Sequence, residues 1–494
     1  MGYLRELPAI GRDIGSVLLL IGAATLLPII VGCLYQEWYA LPWMATSTVA
    51  MLGIGGLLHL LPKNTKPPRA SLSISATAVI WALVGFLGCF PFIFAGMPFL
   101  DAVFESMSAW TATGFSLATN LEDWPNTILL WRSLMQWIGG LGIVAFTLTV
   151  ASRSGLVTQN LYRSEGGSES FMPSVIATAF QMWKIYLTLT LIAILAILLT
   201  GLSLWDAVNI AFCAIATGGM SIYADGITHF NNFALEMVLV PIMLAGAIPF
   251  RLYYVIYVSR SFREILHDRI LHMLIGVFIL VSAVLIVELF TAGMPLMDTL
   301  RESLFMASSV VSSTGFQNTT FAGWGMAPIL FLSIFLMIEG GQGSTSGGIK
   351  LNRIQIMFEA FSWWFRKTLQ SPRAVVPIRH DGKPLYGKAG ETLITKSLLV
   401  ILLYVLLMIG TLIVLLHDPY FSQNLAGTIY DLCSCIGNNG SSTGVIGPLM
   451  PDYSKVIIIF VMWITRLEII PVLILIWGIL RGFDTQKGTR KRDE

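Results

Sequence analysis

Apolar residues in this chain come in long runs, not in the alternation or narrow stripes of a soluble fold. Ten runs reach roughly the twenty residues a helix needs to cross a bilayer, at 14–35, 39–61, 72–96, 126–151, 183–204, 233–258, 271–293, 326–350, 393–416 and 455–480. They predict ten transmembrane helices. Between particular pairs lie four shorter apolar pieces, 99–113, 205–218, 299–314 and 424–437, each too short to cross and each ending in a small polar cluster. Residues 310–320, VVSSTGFQNTT, are one such cluster, with hydroxyls, a glycine and an amide at membrane depth.

Composition agrees with the pattern. Of 494 residues, 55% are hydrophobic and 12% charged, about half the charged fraction of a soluble globule. The mean hydropathy is +0.75. The expected class is an all-α polytopic membrane protein, and the first run, lacking a small-residue cleavage site, reads as an ordinary span. Net charge is only +2, but its distribution is informative. With the N-terminus inside and ten crossings, 24 of the 30 lysines and arginines fall in cytoplasmic segments. Arg132, Arg301 and Lys455 fall outside or at its edge, and Arg251, Lys350 and Arg466 fall within spans. Both termini are then cytoplasmic, and the four short pieces enter and return on the outer side.

Those pieces are copies of one unit. TATGFS (111–116), TGGMS (217–221), SSTGFQ (312–317) and GNNGSSTG (437–444) each follow a short apolar helix and precede a long one. Their glycines, Gly114, Gly219, Gly315 and Gly440, are 105, 96 and 125 residues apart. An aromatic stands ten residues before three of them (Phe104, Phe305, Tyr430), and an acid thirteen before three (Asp101, Asp206, Glu302). Four divergent repeats of helix, half-helix, polar turn and helix share one orientation, so they can surround one axis in pseudo-fourfold fashion. Irregular backbone survives at membrane depth only when buried in protein or facing water. A half-helix ending there aims the negative end of its dipole inward. Glycine lets successive carbonyls face one way, which makes a site able to replace the hydration shell of a monovalent cation. The competing explanation for any one TG pair is close helix packing through small residues. Four copies at one place in the unit favour the ion site.

At these residues the chain resembles the Trk/Ktr/HKT superfamily of potassium transporters, in particular its TrkH-type membrane subunits. The resemblance rests on the four turns, LLWRSLMQWIGGLGIV (129–144), EGGQGSTSGGIK (339–350) and TRLEI (465–469), and covers essentially the whole chain. The additional helix pair before the first repeat fits the TrkH branch. The resemblance implies a single-chain pore of four repeats around one axis in a bacterial inner membrane, forming a homodimer and gated by a nucleotide-binding, TrkA-like cytoplasmic partner. It implies potassium coordination by the backbone carbonyls of Ala112 and Thr113, Thr217 and Gly218, Ser313 and Thr314, and Asn438 and Asn439, with Gly114, Gly219, Gly315 and Gly440 as filter glycines. The second turn is ambiguous by one residue, because Gly218 and Gly219 are adjacent. The fourth departs from the TG pattern and is expected to be less regular. The expected division is 1–70 for the N-terminal helix pair, then repeats at 71–152, 153–262, 263–368 and 369–494.

The run from 340 to 348 interrupts the last span of the third repeat with five glycines, Gly340, Gly341, Gly343, Gly347 and Gly348, around Gln342, Ser344, Thr345 and Ser346. Each glycine costs a helix about 1 kcal/mol against alanine. The resemblance makes 339–350 an intramembrane gating loop under the filter; a plain helix break for packing is the other possibility. Arg466 lies about twelve residues into the last span, where a charge faces water or a partner. It either raises a barrier on the cation path or pairs with an acid such as Glu339. Lys350 adds to that field or anchors at the cytoplasmic interface.

The glycine run lacks the GK[ST] ending of a phosphate loop, so nucleotide binding is assigned to the partner. No covalent cofactor and no nucleic-acid partner are expected. The five cysteines show no zinc spacing, and no HExxH or nucleophile signature appears, which argues against an enzyme. Residues 366–392 carry a basic stretch without apolar period that is either a solvated loop or the partner's docking segment. The runner-up function is a secondary transporter of another monovalent cation or small solute, sodium-permeable or ion-coupled, although such folds usually carry inverted repeats.

Overall fold

The computed structural model describes residues 6–62, 68–142, 175–259, 267–321, 323–371, 376–381, 383–385 and 388–483. The described residues are mostly helical, with two short two-stranded ladders among them. Six helices are long and apolar enough to cross a membrane among the described residues: Leu7–Leu34, Leu41–His59, Ser71–Phe94, Ala177–Leu198, Arg269–Thr291 and Gly390–Leu415. Leu191, Ile279 and Leu406 stand exposed on three of them. Such side chains are at home against lipid tails, where hydrophobic exposure carries no penalty.

Of the ten expected spans, only the third repeat's last one was expected to be interrupted; the structure breaks three more. The six continuous helices match six of the predicted runs. The other four runs, 126–151, 233–258, 326–350 and 455–480, are those that follow the polar turns, and in each the helix breaks. Asn126–Leu141 ends at Gly142, whose φ of +97° no helix continues through; residues 143–151, and with them the boundary drawn at 152, lie outside the described residues. Phe233–Ala247 and Phe250–Val258 meet at 92°. Ile248, extended at ψ 133°, precedes Pro249, and that pairing disfavours helix. Met326–Phe335 ends before the glycine run, and a separate amphipathic helix, Leu351–Leu369, starts after it. Asp452–Arg466 and Ile470–Arg481 meet at 111°. There Glu468 and Ile469 both take left-handed φ, 56° and 69°, a conformation that costs an ordinary residue of order 1 kcal/mol or more. Arg466 is thus the last residue of its helix, not a mid-helix charge. The described parts of segment 366–392 carry regular structure: the helix runs to Leu369, and Ile378–His380 pairs antiparallel with Lys383–Leu385.

The four short pieces fold as half-helices, Phe99–Trp110, Leu204–Ile215, Leu296–Ser312 and Leu425–Gly437. Their starts are well specified. Pro98 and Pro295 precede the first and third, with Asp101 and Asp298 in the first turn to complement the dipole. Ser203 and Asn424 cap the second and fourth, accepting from the N–H of Asp206 at 3.1 Å and of Gly427 at 3.0 Å. Phe104, Phe305 and Tyr430, the aromatics shared by three repeats, are fully buried in the common core.

Candidate functional site

All four half-helices end in the same backbone conformation. Ala112, Thr217, Ser313 and Asn438 take left-handed φ of 51°, 51°, 67° and 55°; two residues on, Gly114, Gly219, Gly315 and Gly440 take 91°, 72°, 82° and 92°. In each turn the left-handed residue donates its N–H to the carbonyl three residues back, at 3.1 to 3.2 Å, and the next residue donates five back at 2.9 Å. This Schellman pairing satisfies the helix-end carbonyls and swings the following carbonyls away from the helix. It also fixes the register left open by the sequence. Thr217, Gly218 and Gly219 correspond to Ala112, Thr113 and Gly114, and Asn438, Asn439 and Gly440 fall in line with them. The fourth turn is as regular as the others, because asparagine tolerates the left-handed region.

The turns close on one another. A Cβ added to Gly114 would strike the Gly218 carbonyl oxygen, one on Gly219 that of Thr314, one on Gly315 that of Asn439, and one on Gly440 that of Thr113, each well inside the 3.0 Å that real Cβ atoms respect. Each repeat abuts the next and the fourth returns to the first, so the four turns form one ring. Side chains lace it: Asn438 donates to the Thr113 hydroxyl at 2.8 Å, and Asn439 to the Ser309 carbonyl at 3.1 Å. Four helix C-termini converge here, and their dipoles favour a cation.

The braces around the ring were not anticipated. Glu105, completely buried, pairs with Arg132 at 2.6 Å and accepts from the Ser116 hydroxyl and Leu117 N–H, each at 2.9 Å. Asp431 accepts from the N–H groups of Thr443 and Ile446 and the hydroxyl of Ser442, at 2.6 to 2.8 Å. Both acids stand nine residues before their glycines, Gly114 and Gly440, a coincidence visible in the sequence. Gln136 bridges the second turn, donating to the Gly218 carbonyl at 2.6 Å and accepting from Met220 N–H at 3.0 Å. Gln317 does the same between the third and fourth, on both backbone groups of Ser442 at 3.0 Å. Arg132, expected on the outer side of the membrane or at its edge, is buried within the protein.

The glycine run lies directly against the ring. Ile338–Glu339 and Ile349–Lys350 pair in parallel at its base, and the loop between them reaches inward. Gly341 N–H donates to the Ala247 carbonyl at 3.0 Å, and Gly343 accepts from Phe250 N–H at 2.9 Å, which seats the loop on the corner of the second repeat. The Thr345 hydroxyl donates to the carbonyls of Ile215 and Gly246 at 3.0 and 2.9 Å and lies 3.3 Å from the Thr217 hydroxyl. Gly347 N–H donates to the Ser313 hydroxyl at 3.1 Å. Lys350 donates back to the Ser346 carbonyl, Ser344 and Ser346 hydroxyls share a bond of 2.7 Å, and Gly340 and Gly348 complete the tight ends. The Arg466 guanidinium donates to the carbonyls of Gly139, of Gly140 at 3.0 Å and of Thr345 at 3.4 Å, and stacks 5.5 Å from the Trp81 ring. It ties the loop to the first repeat. Every residue anticipated for the filter and the loop thus belongs to one contiguous assembly.

Comparison with known proteins is consistent with this architecture. Residues 43–480 match the TrkH family of cation transport proteins. An uncharacterized cation transporter of Methanocaldococcus jannaschii is 34% identical over 480 residues, covering 95% of each chain. The Trk system potassium uptake protein TrkH of Halomonas elongata is 26% identical over 486 residues, 94% of this chain and 97% of that one. The crystal structure of the potassium transporter TrkH from Vibrio parahaemolyticus superposes with a TM-score of 0.82 at 26% identity, over 95% of this chain and 98% of that one.

Proposed function

The chain belongs to the TrkH family of cation transport proteins, and on that premise we propose that it takes up potassium through the ring of turns. One observation carries this most of the way: four half-helix ends with identical Schellman geometry, closed into a ring by glycines that admit no side chain. Backbone carbonyls of Ala112, Thr113, Thr217, Gly218, Ser313, Thr314, Asn438 and Asn439 supply the oxygens that replace water around the ion. The loop from Gly340 to Gly348, with Lys350 and Arg466, obstructs the path below. Gating passes to a cytoplasmic nucleotide-binding partner, as the family resemblance implies; the relatives' designation as parts of a Trk system supports the existence of a further component. The working form is a homodimer, as the family resemblance implies, with both termini in the cytoplasm, an orientation that the distribution of lysines and arginines supports.

Purified protein in liposomes, loaded with potassium and supplied with external radioactive rubidium, tests this. Uptake that potassium suppresses and sodium suppresses far less is the expected result. Uptake driven only by a proton or sodium gradient, or competed by organic solutes, would replace it with a secondary transporter.

A further inference from the structure

Glu339 has no part in the transport scheme so far, yet it occupies an unusual place. It ends the short strand Ile338–Glu339, opposite Lys350 in the parallel ladder. The residue is completely buried, and neither carboxylate oxygen is satisfied by a hydrogen bond of ordinary geometry, the Ser313 hydroxyl and the Asn439 amide standing close to it without good alignment. Its position relative to the ring is tight. A Cβ on Gly437, the last residue of the fourth half-helix, would lie 2.5 Å from one oxygen, and a Cβ on Gly348 3.1 Å from the other. Ser313 and Asn439 of the ring face it, and so do two cations, Lys350 from the ladder and Arg466 from the helix end.

Those cations are engaged on backbone carbonyls. Lys350 donates to Ser346, and Arg466 donates to Gly139, Gly140 and Thr345. A buried carboxylate ordinarily has a hydrogen-bonded partner or coordinates a cation, because removing it from water unpaired is among the costliest arrangements in a protein. The C-terminal end of the fourth half-helix, with its negative dipole end, lies beside Glu339 and adds to the demand for positive charge.

We infer that Glu339 is an inner coordination point for the transported cation, holding one potassium ion just below the ring beside the fourth half-helix. A monovalent ion suits the place: one carboxylate balances one charge, and the neighbouring Lys350 and Arg466 disfavour a divalent ion. This site rests on the ring being the potassium path, and it adds a side-chain ligand where the ring offers backbone oxygens.

Two measurements on detergent-purified protein test it, with potassium chloride exchanged against choline chloride. The first is the melting temperature of the wild type and of Glu339→Gln as potassium is raised. Wild type should be stabilised, and the variant should need about tenfold more potassium for half the effect. The second is the potassium-minus-choline infrared difference spectrum of protein labelled with carbon-13 glutamate. A glutamate carboxylate band should shift in the wild type and be lost in the variant. Equal potassium dependence in both proteins, with no shifting glutamate band, overturns the site and leaves the ring standing. A wild type that potassium does not stabilise at all overturns the ring assignment itself. If Glu339→Gln does not fold, the wild-type spectrum decides: a potassium-sensitive glutamate carboxylate supports the site and an insensitive one overturns it.

Discussion

The ring and the loop beneath it lie in contact but are built from different materials. The ring repeats one backbone conformation four times on four different side-chain sets, Ala-Thr-Gly, Thr-Gly-Gly, Ser-Thr-Gly and Asn-Asn-Gly. Only the final glycine is common, and it is the position where any Cβ meets a neighbouring carbonyl. The loop instead is held by particular side chains, the Thr345 hydroxyl, the Ser313 hydroxyl and the Arg466 guanidinium. On the proposed function, attraction of the ion through backbone carbonyls would tolerate side-chain drift as long as the glycines stay. The proposed obstruction through individual side chains would not, so the two regions should respond to substitution in opposite ways.

The braces mark the limit of that tolerance. Glu105→Ala would leave Arg132 charged and unpaired in the interior, which costs about 3–5 kcal/mol. The expected result is a large loss of folded protein, read as melting temperature or as monodisperse yield in detergent. Within the ring, Gly315→Ser should be the next largest effect. Its side chain meets the Asn439 carbonyl and a backbone at φ +82°, so rubidium uptake should fall on the order of a hundredfold, about 2.7 kcal/mol of barrier, or selectivity against sodium should collapse. Wild-type uptake and selectivity in a folded Gly315→Ser protein would break the contrast.

Arg466→Ala probes the other side. Removing the charge and its bonds to Thr345, Gly139 and Gly140 should free the loop and raise flux per folded molecule about tenfold, about 1.4 kcal/mol. Screening by water in the path keeps the effect from being larger. Lower flux from a protein still folded would mean that the guanidinium holds the path open, and the loop would lose its role as a barrier. The smallest effect belongs to Ala112→Gly. Ala112 holds φ 51° and gives the ring only its backbone, which glycine supplies equally without the cost of a Cβ in that conformation, so glycine should stabilise the turn by at most about 1 kcal/mol with uptake unchanged. A marked change in uptake would show that side chains at this position matter to the ring.

Much of this was legible in the sequence because hydropathy and glycine position report directly on membrane depth and backbone geometry. Gly114, Gly219, Gly315 and Gly440 located the turns, and the half-helices followed from apolar pieces too short to cross. The breaks in the four helices after the turns were less visible. Gly142 and Pro249 are local signals that a hydropathy window averages away, and the corner at Glu468 and Ile469 has no glycine to announce it. There the ion pair of Glu468 with Arg353, distant in sequence, and the Tyr404 hydroxyl on the Thr465 carbonyl at 3.0 Å support the bend. The braces were missed for the same reason. Glu105 with Arg132, and Gln136 with Gly218, are tertiary contacts between segments whose own patterns say only that they are buried.

The central claim is that an ion sits on the axis of the four turns, held by their carbonyls. Crystals of the protein grown with potassium replaced by thallium, a heavy monovalent cation, test it most directly through anomalous scattering. The account predicts anomalous peaks on the axis, within coordinating distance of the carbonyl oxygens of Thr113, Gly218, Thr314 and Asn439, that potassium displaces. An axis without anomalous density, in a protein that still transports thallium, would contradict it.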